Sequence, residues 1–231
     1  METMESEISE TAAKRSEIKK ILIVDDHPIA RRGISRLLNH EDDLEICGEA
    51  ETTDEALEKI QEEKPHLVIV DLSLKNSSGI DLIKVARARF GRHLKMMVIS
   101  MHEETILVER AIRAGARGYV TKREAADHLL PAVRNVLDEK FYLSGDTKEK
   151  TLRSEFSTSS DDAMSALSDR ELEIFQLIGE GLTTTVIAKN LHLSLKTVEG
   201  YRANIRTKMN LKDNMDLIRQ AVRWIQVGQP A

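Results

Sequence analysis

Five polar residues stand at the ends of apolar runs, and their types suit phosphoryl-transfer chemistry. Asp25 and Asp26 follow the run ILIV, Asp71 follows LVIV, Ser100 ends KMMVIS, and Lys122 lies just after ARGYV. Three neighbouring carboxylates repel one another unless a hard divalent cation such as Mg²⁺ binds between them. One carboxylate oxygen can then attack a phosphoryl donor, while Lys122 pairs with the developing charge and the Ser100 hydroxyl bonds a phosphoryl oxygen.

The elements that must position these residues alternate along the first part of the chain. The runs ILIVDD, LEICGEA, HLVIVD, KMMVIS and ARGYV predict short strands rich in β-branched residues. Helical periodicity follows each of them, at Ile29 to Leu38, Thr53 to Gln61, Ile80 to Arg89, Glu104 to Arg113 and Glu124 to Leu137. Five such units predict a doubly wound α/β domain with a five-stranded parallel sheet, which binds ligands beyond the carboxyl ends of its strands.

Each polar residue also has a purely structural interpretation. Asp25 and Asp26 precede His27 and Pro28, so they could cap the first helix. Asp71 could be an ordinary loop acid, and the Ser100 and Lys122 side chains could simply be solvated. The position of all five residues at successive strand ends favours a shared site.

Length and composition predict a soluble two-domain protein of a reducing cytoplasm. The 231 residues exceed one typical domain, and no stretch approaches the roughly 18 consecutive apolar residues of a spanning helix. Cys47 is the only cysteine, which excludes an intramolecular disulfide and any multi-cysteine metal site. The first residues carry charges of both signs without an apolar core, so they do not resemble a secretory signal.

The composition divides the chain into four segments. We expect a disordered leader at 1–18, the α/β domain at 19–143, a polar linker at 144–164 and a small all-α domain at 165–231. The last part contains nine Lys/Arg against seven Asp/Glu from Ala166 onward, whereas the chain as a whole has a net charge of −5. This local excess of positive charge is a weak indication of nucleic-acid binding.

The C-terminal pattern predicts a helix-turn-helix. Ser168 and Glu171 form a capping box at the start of the first helix, and Gly181 ends that helix. A short helix, a turn at His192-Leu193 and a longer helix capped by Ser194 follow, with the spacing of this motif. A plain helical bundle with a solvated basic face is the alternative.

The first part of the chain resembles the receiver domain of two-component response regulators, through ILIVDDHP, LVIVDLSLKNSSGIDL, VISMHEE and AGARGYVTK. The resemblance implies that Asp71 accepts the phosphoryl group and that Mg²⁺ binds Asp25, Asp26, Asp71 and the Ser73 backbone carbonyl. It further implies that Ser100, Lys122 and Tyr119 respond to the phosphate. Ser73 and His102 then lie where water approaches, and we expect them to tune dephosphorylation.

The second part is similar to the LuxR-type DNA-binding domain, so the whole chain resembles the NarL/FixJ family of response regulators. The match runs through LSDRELEIFQLIGEGLTTTVIAKNLHLSLKTVEGYRANIRTKM. On the recognition helix we expect Lys196, Thr197, Arg202 and Lys208 to hold DNA phosphates. We expect Glu199, Gly200 and Ala203 to face base edges, and the Arg202 side chain to lie on the outer side of the helix.

The resemblance implies a DNA-binding transcription regulator rather than an enzyme. A sensor histidine kinase or a small phosphodonor phosphorylates Asp71, and the phosphorylated homodimer binds double-stranded promoter DNA. A phosphorylation-independent dimeric transcription factor with a structural receiver domain is the alternative. A haloacid-dehalogenase-like phosphotransfer enzyme is disfavoured, because no second acid stands two residues beyond Asp71.

Overall fold

The structure is a computed structural model that describes residues 17–74, 77–101, 105–145, 164 and 166–228. Most of the expected leader, the 146–163 part of the expected linker and His102 lie outside these described residues. Within the described ranges, no helix combines the length and the apolar character needed to cross a membrane.

A parallel sheet of six strands forms the centre of the first domain. The strands are β1 (Lys19–Val24), β2 (Leu44–Ala50), β3 (Leu67–Val70), β6 (Lys95–Ser100), β7 (Gly118–Thr121) and β8 (Tyr142–Leu143). Their order is β2-β1-β3-β6-β7-β8, so the winding direction reverses between β1 and β3. The five strands predicted from the sequence are present, and β8 adds a sixth.

Two small features of the sheet were not predicted. Strands β4 (Ser73–Leu74) and β5 (Ser77–Ser78) form an antiparallel pair after β3. The pairing of β1 with β2 shifts after Ile21, so that Cys47 is the extra residue of a bulge in β2. A two-residue strand and a single extra residue carry too little apolar periodicity to be recognised in a sequence.

Helices cover both faces of the sheet, as the predicted fold requires. They are α1 (Pro28–Leu38), α2 (Thr53–Glu63), α3 (Gly79–Phe90), α4 (Thr105–Ala114) and α5 (Ala125–Leu137). One buried cluster joins α1 and α5 to one face of the sheet, and a second cluster joins α2, α3 and α4 to the other. Burial on both faces explains why the strands are continuous apolar runs.

Four helices form the C-terminal part: α6 (Asp169–Gly179), α7 (Thr184–Asn190), α8 (Leu195–Lys208) and α9 (Asn214–Gly228). The predicted capping box is present, because the Ser168 side chain accepts from the Glu171 amide while the Glu171 carboxylate accepts from the Ser168 amide. Apolar residues of α6 to α9 continue the buried cluster that covers α3 and α4, so the two parts share packed surface.

Gly79 lets the first turn of α3 pass directly over the end of β3. A Cβ atom at this position would collide with the Asp71 carbonyl oxygen and approach Leu72 Cα to 2.8 Å. Both obstacles are backbone, which cannot rotate away. The start of α3 and the strand end that carries Asp71 are therefore fixed together.

We expect Gly79→Ala to lower the free energy of unfolding by at least about 2 kcal/mol, because the added methyl group overpacks the backbone. Gly33→Ala is the matched control, since Gly33 lies in α1 with no atom within 4 Å of an added Cβ. The control should gain up to about 1 kcal/mol from helix propensity. Urea-unfolding midpoints of both variants measure the difference, and equal midpoints would contradict the close packing at Gly79.

Candidate functional site

The carboxyl ends of β1 and β3 bring two acids together at the reversal point of the sheet. Val24 pairs with Val70 in the parallel register, so Asp25 and Asp71 leave adjacent strands side by side. Asp25 is 0% exposed and Asp71 is 2% exposed. Two ionised carboxylates at such burial need a compensating cation.

Lys122 supplies part of that compensation. Its Nζ lies 2.7 Å from Asp25 Oδ2 and 2.7 Å from Asp71 Oδ2. Burial by itself favours a lower pKa for Lys122, but the two carboxylate charges outweigh it and raise the pKa. The ammonium group therefore stays charged and holds the two acids in place.

Asp26 gives the site an excess of negative charge. Its side chain is 3% exposed, and its pKa is raised, first by burial and further by the neighbouring charge of Asp25, while the nearby His27 opposes the shift. Asp25 Oδ2 and Asp26 Oδ1 are buried, and their 2.7 Å contacts with Lys122 Nζ and His27 Nδ1 lack hydrogen-bond geometry. Oxygen donors left in this state fit a hard divalent cation, so Asp25, Asp26 and Asp71 could hold Mg²⁺.

The other expected receiver residues lie around this cluster. Ser100 is fully buried and pairs in register with Thr121, the residue before Lys122. Tyr119 is buried in the core on the α3–α4 side of the sheet. The Ser73 amide donates to Asp71 Oδ1 at 3.4 Å. His102 lies outside the described residues, so its expected role stays a prediction.

The helix-turn-helix is formed by α7, the turn at His192 and α8. Ser194 caps α8 by accepting from the Thr197 amide at 3.0 Å, as the sequence predicts. His192 takes a left-handed backbone conformation with φ of 52°, which reverses the chain between the helices. The motif is therefore built by local capping and turn geometry.

The outer side of α8 presents most of the expected DNA-contacting residues. The exposed members are Lys196, Thr197, Glu199, Gly200 and Lys208, and Ala203 is half-buried. Gly200 has no atom within 4 Å of a potential Cβ, so the helix backbone can approach a ligand closely there. Asn204 is also exposed on α8, in addition to the residues predicted from the sequence.

The outward placement expected for Arg202 is wrong. Its side chain lies with the inner residues Val198 and Ile205, and only 7% of Arg202 is exposed. Spacings of four and three residues put all three on one side of a helix. Lys208 is engaged as well, because its Nζ lies 2.6 Å from Glu171 Oε2.

Charged contacts join the helix-turn-helix part to the receiver part. Asp169, at the start of α6, lies 2.6 Å from Lys84 Nζ and 2.8 Å from an Arg110 guanidinium nitrogen. Arg170 donates to the Ser77 carbonyl oxygen at 3.3 Å. These residues were not predicted, because contacts between distant segments leave no local periodicity in a sequence.

Comparison with known proteins decides the family. Residues 21–134 match the response regulator receiver domain, and residues 165–221 match the bacterial regulatory proteins of the luxR family. The oxygen regulatory protein NreC of Staphylococcus haemolyticus is 35% identical over 213 residues, covering 88% of this chain and 97% of that protein. Response regulator GacA of Pseudomonas protegens is 33% identical, covering 88% and 95%.

The chain belongs to the NarL/FixJ family of response regulators. Its structure is similar to that of the Salmonella typhimurium response regulator RcsB, with a TM-score of 0.61 at 26% identity over 90% of this chain and 98% of that one. A further similar structure is Salmonella enterica RcsB bound to promoter rprA in the presence of the phosphomimetic BeF3−, with a TM-score of 0.58 at 25% identity, covering 88% and 98%. This regulator is thus a DNA-binding protein of a two-component system, with a receiver domain and a LuxR-type helix-turn-helix domain.

Asp26→Asn should stabilise the metal-free regulator at neutral pH by on the order of 1 kcal/mol, because it removes a buried charge. The raised pKa of Asp26 means that the wild-type free energy of unfolding falls as pH rises upward from the ordinary value of 3.8. The variant should lack that decline. It should also lose most of the stabilisation that Mg²⁺ gives the wild type.

Urea unfolding with EDTA and with Mg²⁺, at acidic and at neutral pH, measures these effects. Asp54→Asn changes an exposed acid of α2 and serves as the control. A variant that responds to Mg²⁺ as the wild type does would show that Asp26 is not a ligand.

Proposed function

We propose that Mg²⁺-dependent phosphorylation of Asp71 controls homodimerisation of this regulator and its binding to promoter DNA in the cytoplasm. The observation that carries the proposal is the Lys122 ammonium, which lies 2.7 Å from both Asp25 and Asp71 at the reversal point of the sheet. A sensor histidine kinase or a small phosphodonor supplies the phosphoryl group. The protein itself acts as a transcription regulator rather than as an enzyme.

The chain's own residues prepare Asp71 as the nucleophile. One Asp71 oxygen attacks phosphorus, an oxygen–phosphorus bond forms, and the bond from phosphorus to the donor's leaving atom breaks. Asp25, Asp26, Asp71 and the Ser73 carbonyl are the groups that hold Mg²⁺, which when bound neutralises charge on the phosphoryl oxygens. Lys122 then exchanges part of its pairing with Asp71 for a phosphoryl oxygen.

Phosphorylation of Asp71 affects the rest of the molecule through residues close to the site. The Ser100 hydroxyl donates a hydrogen bond to a phosphoryl oxygen. Movement of β7 and α4 then shifts the population away from the conformation in which Tyr119 is buried. The β4–β5 pair begins two residues after Asp71 and carries the Ser77 carbonyl that Arg170 contacts. Ser73 and His102 set the access of water and with it the lifetime of the phosphorylated state.

DNA binding follows from two α8 helices presented by the dimer to adjacent major grooves. Lys196 and Thr197 hold phosphates, and Glu199, Gly200 and Ala203 face base edges. Lys208 contributes a phosphate contact once it leaves Glu171, whereas the buried Arg202 supports the helix from its inner side. The structure of Salmonella enterica RcsB bound to promoter rprA in the presence of the phosphomimetic BeF3− supports binding of promoter DNA by the phosphorylated form.

Asp71→Asn should abolish the gain of one phosphoryl group when the full-length protein is incubated with acetyl phosphate and Mg²⁺. The amide is too weak a nucleophile to form the acyl phosphate. Intact mass spectrometry measures the gain, which should be stable to acid and labile to base in the wild type. Asp54→Asn is the matched control and should keep the full gain. Phosphorylation of Asp71→Asn to the wild-type level would refute the assignment.

Lys196→Ala should weaken binding to all DNA sequences about equally, because a phosphate contact carries no sequence information. The slope of log affinity against log salt concentration should become shallower by about one unit, because one phosphate contact is lost. Fluorescence anisotropy with promoter and unrelated duplexes, over a range of salt, measures both effects. Lys140→Ala, at an exposed receiver lysine, should change neither. A loss confined to one base position would show that Lys196 reads sequence instead.

A further inference from the structure

Helix α8 presents an exposed amide one turn after a residue that has no side chain. Asn204 is exposed four residues after Gly200, and a Cβ added at Gly200 would meet no atom within 4 Å. Side chains of an α-helix lean toward its N-terminus, so a residue covers the surface of the one four positions earlier. The Asn204 amide therefore extends over the open surface that Gly200 leaves.

This amide is available to a ligand. Within the described part of the chain, the Asn204 side chain has no hydrogen-bond partner. A side-chain amide offers one acceptor oxygen and two N–H donors. All of them are open to a molecule that reaches the outer face of α8.

The nearest residues on this face do not compete with Asn204 for a polar contact. Gly200 and Ala203 carry no hydrogen-bonding side chain, and the Thr207 hydroxyl donates back to the Ala203 carbonyl oxygen at 3.1 Å. Asn204 is thus the uncommitted polar group at this part of the helix surface.

The chemistry of a carboxamide selects one base. In the major groove adenine presents its N7 acceptor beside its N6 amino donor. The asparagine Nδ2 donates to N7 while Oδ1 accepts from the N6 amino group, and no other base offers this pair. The missing side chain at Gly200 lets the helix backbone approach the groove closely, which brings the Asn204 amide within reach of a base edge.

Glu199 cannot make the same contact. A carboxylate has no N–H donor, so Glu199 accepts from the cytosine amino group but leaves adenine N7 without a donor. An adenine in the DNA site therefore distinguishes Asn204 from Glu199.

We propose that Asn204 reads an adenine in the major groove and so determines part of the sequence specificity of this regulator. The inference rests on the DNA contacts of α8 proposed above and adds the base that one of its residues selects. A dimer presents two α8 helices, so the adenine recurs once in each half-site in inverted orientation.

Selection from a randomised duplex library tests which base is read. The full-length protein is incubated with acetyl phosphate and Mg²⁺ and mixed with the library, and the bound duplexes are sequenced. One position of each half-site should favour adenine over every other base by at least about fivefold, the discrimination expected of one bidentate pair.

Two substitutions of Asn204 should change this position and leave the other positions as they are. Asn204→Ala should remove the preference for adenine. Asn204→Asp should replace it by a preference for cytosine, because a carboxylate accepts from the cytosine amino group and cannot donate to N7. Asn135→Ala removes an amide from receiver helix α5 and is the matched control, which should select the wild-type sequences.

A wild-type selection without an adenine position, or an adenine preference that persists in Asn204→Ala, would overturn the proposal. Weaker binding of Asn204→Ala to all duplexes equally would also overturn it, because Asn204 would then hold a phosphate. Lys196→Ala in the same assay separates this result from the proposed function. If Lys196→Ala binds all sequences more weakly, an unaltered Asn204→Ala refutes only the base assignment. If Lys196→Ala also binds as the wild type does, the proposed DNA contacts of α8 fail as well.

Discussion

The fold concentrates negative charge at one end of its sheet, and the rest of the structure depends on keeping that charge in place. Asp25 and Asp71 are buried side by side because β1 and β3 are adjacent and in register. Lys122 reaches both from the end of β7 and makes the pair tolerable. The reversal of strand order between β1 and β3 opens the crevice into which these groups point.

Helix α6 of the second domain likewise carries several buried charged residues. Its charged residues Asp169, Arg170, Glu171 and Glu173 are all buried, and each has an oppositely charged partner. Buried ion pairs contribute little net stability, because desolvation offsets their attraction. Their geometry is nevertheless specific, and the pairs of Asp169 with Lys84 and Arg110 define how the two domains meet. The receiver thereby holds the DNA-binding domain through contacts that a change in charge can alter.

Much of the fold could be predicted because its signals are local. The five main strands appear as apolar runs, and the Ser168–Glu171 capping box and the Ser194 cap mark helix starts. The carboxylate cluster was predictable too, since parallel strands bring their carboxyl ends to one edge. The contacts of Lys122 with this cluster were predictable for the same reason, because Lys122 follows the carboxyl end of another parallel strand.

The remaining features depend on tertiary context. Strand β8 has only two residues, and its pairing with β7 is supplied by the sheet rather than by its own sequence. The interdomain contacts join residues more than fifty positions apart, as in Arg110 with Asp169. Arg202 was expected on the outer side of α8, although its spacing from Val198 and Ile205 puts it on the inner side. His27 received no predicted role, since the sequence does not reveal where its ring points.

The bulge at Cys47 has a consequence for behaviour at high concentration. Strand β2 is the long edge of the sheet, and a regular edge strand is a template for pairing with a second molecule. The extra residue bends and twists β2 locally, and Glu45 and Glu49 add like charges along the same strand. The opposite edge ends in a two-residue strand, which is too short to recruit another. Both edges thus resist edge-to-edge aggregation.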